Sequence, residues 1–380
     1  MIPKCEIFLF SACLCVVIAG TIQVKIGTTW TASFVGHNNG PYFNLTYTSI
    51  CLTVLFIGAY LLVRYLLFPK VRRDTWYRPS LMVYFPVLLV IGALDAISNV
   101  LIAYSTLHGR VPIIFQPIIP LVGIGFSVLF TKIHIRSAAN GKYSLWIALA
   151  IGLVIGLLTI TGVLLLLPHV PGEYFFNPPS SIAWIVLAVL GVGCSMWHCV
   201  LQQRTLNYML ASRFEYEDSM LLIAEHADAT RAAERYYFYL DYFFLLATTF
   251  AVKCVVLVAL LWVNIIPWFG VSPVISTFAV DMSDTIRCYF GVMPDCQLNV
   301  WWLGLIFMLS TGFRYCSSLI VNQTSANCNA LALNIIIPLA WGSWSYIWPE
   351  PGTAPLPLWS SWPSVALLIV ALIIWRAREK

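Results

Sequence analysis

Three formal charges lie well inside long apolar stretches of this 380-residue chain: Asp95, Lys253 and Arg314. A charge near the centre of a bilayer costs about 2.5–3.5 kcal/mol even on lenient insertion scales, so such groups face a bundle interior or an aqueous cavity. A carboxylate in a cavity can bind a cationic group or a proton. The two cations can compete with it or hold a substrate carboxylate. Polar residues collect on the same stretches: Ser98 and Asn99 follow Asp95, Ser317 and Ser318 follow Arg314, and Ser195 and His198 lie together. Asn99 is one helical turn beyond Asp95 and on nearly the same face. His198 carries an imidazole that can charge in an acidic compartment; a hydrogen-bonded packing histidine is the alternative. Gln116 and Asn334 complete a substrate-cavity set of Asp95, Ser98, Asn99, Gln116, His198, Lys253, Arg314, Ser317 and Asn334. The competing reading of the charges is a structural ion pair.

The elements that position these residues follow from composition. Sixty percent of the chain is hydrophobic and 10% is charged, which makes the bilayer its main solvent. Spanning the hydrocarbon takes roughly 20 apolar residues per helix, because each backbone amide must be satisfied within its own segment. Apolar runs between polar breaks predict ten spans, at 7–26, 46–67, 80–106, 111–131, 144–168, 181–202, 238–264, 299–321, 325–348 and 362–376. The fold class is thus an all-α membrane protein. Fifteen Trp, 18 Tyr and 22 Phe suit two interfacial belts. The first span, with Lys4 before it and Ala19 and Gly20 behind, has a cleaved signal peptide as its alternative.

If both termini are cytosolic, the inner loops carry most of the Lys and Arg, and the outer loops hold only Lys25, Arg110 and Arg287. The formal charge of +5 therefore needs no nucleic-acid partner. Asn44 heads a glycosylation sequon on the first outer loop, whereas the sequon at Asn322 falls on the inner side and is expected to stay bare. Cys288 and Cys296 lie in the outer loop 265–298, where an oxidising lumen permits a disulfide. The polar stretch 203–237 reads as an amphipathic helix or pair along the cytosolic interface.

The chain also resembles itself. Phe115 to Ser127 aligns without gaps on Leu333 to Ser345, placing Gln116 on Asn334 and Pro120 on Pro338. Just upstream, Ile97 to Thr106 lies over Cys316 to Ser325 after a shift of one residue, which sets Asp95 on Arg314. The repeat unit is then five spans, 1–168 and 181–376. Five is odd, so the second copy enters from the opposite side, giving a 5+5 inverted repeat. Pro86, Pro112, Pro117, Pro120 and Pro338 interrupt main-chain hydrogen bonding in three of these spans and predict kinked helices around a cavity.

GALDAISNVLIAYS at 92–105, FQPIIPLVGIGFSVLFTK at 115–132, IIPWFG at 265–270 and SANCNALALNIIIPLAWGSW at 325–344 resemble the chloroquine-resistance-transporter-like family of the drug/metabolite transporter superfamily. The likeness runs in order and spacing over roughly 46–348. It implies a ten-helix inverted-repeat carrier in a vacuolar, lysosome-like or other endomembrane. Such a carrier moves amino acids, short peptides or organic cations by alternating access, with protons as a candidate coupling ion. By the same resemblance Asp95, Ser98, Gln116, Asn334 and Ser317 face the cavity. The outer loop departs from the family in having two cysteines where well-known vacuolar members have four. The alternatives are another drug/metabolite carrier, for nucleotide sugars or amines, and a non-transporting scaffold or receptor. There is no HExxH, no GxSxG and no metal-spaced His/Asp cluster, so neither an enzyme nor a cofactor is expected.

Overall fold

The computed structural model describes residues 2–34, 40–67, 81–107, 110–111, 119–134, 178–221, 227–270, 274–293, 296, 300–347, 366 and 369–370. Nine α-helices account for most of them: α1 (Ile2–Ala32), α2 (Gly40–Leu62), α3 (Leu81–Ser105), α4 (Val122–His134), α5 (Pro178–Leu221), α6 (Ala227–Ala259), α7 (Ile275–Tyr289), α8 (Val300–Thr324) and α9 (Ala326–Ile347). A π turn (Val63–Leu67) extends α2, and 3-10 turns precede α4 (Ile119–Leu121) and follow α6 (Leu261–Ile265). Six of the helices are long and apolar enough to cross a membrane, and the apolar helices Ile119–His134 and Ala326–Ile336 are shorter. These eight correspond to eight of the ten expected spans. The candidate at 144–168 lies outside the described residues, and that at 362–376 is described only at 366, 369 and 370.

Outward faces are apolar and inward faces carry the polar groups, the reverse of a soluble bundle. Val54, Val255, Val258, Leu66 and Phe313 are each more than half exposed, as groups facing lipid are, while Asp95, Lys253, Asn322, Asn329 and Asn334 are buried. Small residues set the helix spacing where lipid supplies no hydrophobic drive. At Gly92 on α3, an added Cβ would sit 2.5 Å from Val252 Cβ and 2.9 Å from the Thr249 carbonyl of α6. This contact brings α3 and α6 close enough for side chains one turn further on to meet. The α2–α6 pair is tied by Tyr42 OH donating to the Leu257 carbonyl and by the Thr53–Cys254 pair at 3.5 Å.

Helix pairing has a regular pattern. The most extensive contacts are α1 with α8 and α3 with α5, followed by α2 with α6; α1 also packs on α9, and α5 on α4. One hydrophobic cluster joins α1, α4, α8 and α9 through Val16, Ile124, Val321, Leu331 and Ile335, and another joins α2, α3, α5, α6 and α8. Residues of α1 such as Leu9, Val16 and Trp30 are buried in the bundle core.

Two expectations change. The stretch 203–237 is not a separate interfacial element: α5 runs unbroken for 44 residues, and α6 begins at Ala227. The reason lies in composition, since no Gly or Pro occurs between 194 and 221, and Glu, Arg, Leu and Ala sustain a helix where the apolar run ends. At 1.5 Å per residue α5 is about 66 Å long, twice the roughly 30 Å hydrocarbon core, so one end projects well past it. The loop 265–298 in turn contains a helix, α7, which presents Ile275, Val280 and Ile286 outward and buries Cys288 and Tyr289. Cys288 and Cys296 form the expected disulfide.

Candidate functional site

The four polar helices α3, α5, α6 and α8 meet at Asp95. Its carboxylate accepts from Lys253 Nζ of α6 at 2.9 Å and from Tyr315 OH of α8 at 2.7 Å to Oδ1 and 2.9 Å to Oδ2. Asn99 closes the set from its own helix, Nδ2 donating to Asp95 Oδ1 at 2.9 Å and to the Asp95 carbonyl at 2.6 Å. Lys253 also donates to Tyr315 OH at 3.4 Å and lies 5.3 Å from the Phe250 ring centroid. Beside this group His198 of α5 holds the Ile91 carbonyl of α3 at 3.0 Å through Nδ1. A carbonyl only accepts, so Nδ1 is the protonated nitrogen. Both charged side chains are more than nine-tenths buried. Such a pair survives desolvation only when its remaining lone pairs and protons find partners, and here the Asp95 oxygens accept from Tyr315 and Asn99 while the ammonium, besides its two hydrogen bonds, lies against the Phe250 and Tyr315 rings.

The partner of Asp95 is therefore Lys253, whereas the repeat alignment pointed at Arg314. Arg314 precedes Tyr315 on α8, with its guanidinium carbon 4.6 Å from the Tyr315 ring. Among the described residues no carboxylate pairs with it, and its Nε is buried without a partner. It faces instead a cavity of about 200 Å³, together with Gln23 of α1, Ser195 of α5 and Asn334 of α9. The rest of the wall is mainly aliphatic, from α1, the end of α3, the start of α4, α5 and α9.

A buried polar network lies at one end of the cavity, among the apolar side chains of α1, α4, α8 and α9. Asn322 Nδ2 donates to Gln202 Oε1 at 3.0 Å, the Ala326 amide to Gln203 Oε1 at 3.0 Å, and Asn329 Nδ2 to Ser318 Oγ at 2.7 Å. Ser127 Oγ donates to Asn327 Oδ1 at 2.8 Å. Ser325 separates α8 from α9 and caps the latter, its Oγ accepting from the Cys328 amide at 3.2 Å. On the turn before α4 and on α5, α8 and α9 alike the cavity-lining residues lie on the α7 side of this network. At the α7 end, Arg110 ties the bundle rim by donating to the Phe269 carbonyl at 2.8 Å and lying 4.1 Å from the Trp184 ring centroid.

Of the residues singled out in the sequence, Arg314 and Asn334 line the cavity. Asp95, Asn99, His198 and Lys253 form the adjacent ionic cluster, Ser98 and Ser317 are buried close by in sequence, and Gln116 lies outside the described residues. Asn44 is 5% exposed and donates its Nδ2 to Thr31 Oγ1 at 3.0 Å, so the nitrogen that a glycan would occupy is engaged in packing. Tyr315, Gln23 and the Gln202–Asn322 and Ser127–Asn327 pairs escaped the sequence reading. A polar residue spaced one helical turn from an intramembrane charge, as Asn99 is from Asp95, signals such a network; a Tyr in an apolar helix does not.

The fold and these buried polar groups define a multi-pass, all-helical membrane protein. Compared with known proteins, the chain matches no family model, and no curated sequence is significantly similar to it.

Proposed function

We propose that the chain is a secondary carrier that moves small solutes across an organelle membrane by alternating access. The observation that carries this reading is the cavity among α1, α3, α5, α8, α9 and the turn before α4, polar at a few points and bounded on one side by buried side-chain hydrogen bonds set within the apolar packing of α1, α4, α8 and α9. A gate made of exchangeable hydrogen bonds can open at little net cost, since each contributes only about 0.5–1.5 kcal/mol against water.

The helix pairing supports a 5+5 inverted repeat. Exchanging the halves (α1 with α5, α2 with α6, α3 with α8, α4 with α9) turns the α1–α8 contact into α5–α3 and the α1–α9 contact into α5–α4, and maps α2–α6 and α4–α9 onto themselves. All of these contacts are present. In a repeat of this kind the cavity forms between the halves and the two exchange conformations. The resemblance to the chloroquine-resistance-transporter-like family points the same way, with both termini cytosolic, a vacuolar or lysosomal membrane and a proton gradient as the driving force.

Purified protein in liposomes, loaded with amino acids, short peptides, nucleotide sugars or organic cations and assayed for counterflow with and without a pH gradient, tests the proposal. Saturable counterflow of one class is the expected result. Its absence for every class, with the protein correctly inserted, favours a scaffold or receptor; flux of nucleotide sugars favours the other carrier reading.

A further inference from the structure

Two polar groups in the cavity are left incomplete by the packing around them. Asn334, 2% exposed, donates Nδ2 to the Ala330 carbonyl at 2.7 Å. That carbonyl cannot donate, so the amide is fixed with its nitrogen toward Ala330 and its oxygen turned away. Oδ1 is buried and, among the described residues, has no donor. Arg314 is the matching deficiency of opposite kind, a guanidinium with Nε buried and unpartnered and with no described carboxylate paired to it. The buried acid of α3, Asp95, is already filled by Lys253, Tyr315 and Asn99.

We infer that Arg314 and Asn334 form a two-point subsite for a small solute carrying a carboxylate and a hydrogen-bond donor such as an ammonium, on a short apolar body. Guanidinium matches carboxylate in charge and fork geometry. The Asn334 oxygen accepts from the donor. Val24, Ile102, Val192 and Leu333 supply the apolar wall. A volume of about 200 Å³ lies below the roughly 300–1,000 Å³ of drug-sized sites, which suits a solute the size of a small amino acid. An amine without a carboxylate would leave Arg314 unpaired and meet its charge directly.

This inference rests on the carrier reading of the same cavity, and the experiment separates the two. Three isosteric probes are used on the wild-type protein in nanodiscs: L-valine, isobutylamine, which lacks its carboxylate, and 3-methylbutanoate, which lacks its ammonium. Valine should bind tightest, 3-methylbutanoate about tenfold or more weaker, and isobutylamine not measurably, because each lost charge-assisted or buried hydrogen bond is worth about a factor of ten or more. Arg314→Gln should weaken valine and 3-methylbutanoate together by about tenfold or more, while Asn334→Leu should weaken valine only. Isobutylamine binding as well as valine, valine binding unchanged by Arg314→Gln, or failure of both carboxylates to bind wild-type protein would each overturn the subsite. Valine binding with the expected dependences but without counterflow of valine or of any other solute class in liposomes would keep the subsite and remove the carrier. Counterflow of isobutylamine alone, indifferent to Arg314→Gln, would keep the carrier and remove the subsite.

Discussion

A buried ion pair tests itself when one partner is removed. Asp95→Asn keeps the shape of the side chain and strands the Lys253 ammonium between Phe250 and Tyr315, at a cost of about 3–5 kcal/mol. Adding Lys253→Met removes the stranded charge and should recover most of the thermal stability in detergent. Arg314→Gln in place of Lys253→Met should recover none. A rescue by Arg314→Gln instead would mean that the charges pair across the repeat. Asp95, Lys253, Arg314, His198 and Asn334 were all legible in the sequence, because a charge or amide in an apolar span demands a reason. Their pairing was not. Symmetry equivalence relates two positions by a pseudo-twofold axis, and positions away from that axis are held apart by it, so Asp95 on Arg314 in the alignment says nothing of contact. The phenol of Tyr315, which completes the cluster, is indistinguishable in sequence from a belt or packing tyrosine.

Among the helices, α3 and α6 are held at the distance their charges require by the contact at Gly92. Gly92→Ala sets two effects against each other. Alanine gains about 1 kcal/mol of helix propensity over glycine, and the new Cβ must push against Val252 Cβ at 2.5 Å and a main-chain oxygen at 2.9 Å, overpacking worth about 1–3 kcal/mol. Neither neighbour is a flexible side-chain end, so strain wins and the variant should unfold at a lower temperature. Gly58 of α2 has nothing within 4 Å of such a Cβ, and Gly58→Ala should be neutral or stabilising. Equal effects at both sites in thermal unfolding would show that α3 and α6 are not in close contact. Helix existence was well signalled by apolar length, and helix ends were not. Hydropathy reports where lipid stops, whereas the backbone stops at breakers, and 203–221 contains none. Likewise α7 was hidden in a loop because its apolar residues are too few for a span, although Ile275 and Ile286, eleven residues apart, still mark one exposed face.

At the scale of the whole molecule, a carrier must open the Gln202–Asn322 and Ser127–Asn327 network and close the α7 side of the cavity in the same cycle, whereas a scaffold or receptor has no need to break it. Ser127 on α4 and Asn327 on α9 touch at 2.8 Å across the proposed junction of the two halves, between two helices whose pairing the exchange of halves maps onto itself. Cysteines at both positions, in a chain whose free cysteines have been replaced and whose Cys288–Cys296 bridge is kept, can be joined by a short bifunctional thiol reagent. The joined protein should still bind solute from the α7 side, because the lining residues Arg314, Asn334 and Ser195 lie beyond the cross-link. Counterflow should be lost, and each single cysteine treated with the same reagent should retain it. Undiminished counterflow with the two helices joined would mean that solute does not leave by this end, and would place the moving gate elsewhere in the bundle. Loss of binding together with flux would mean that the network supports the cavity rather than gating it, which is the outcome expected of a static bundle.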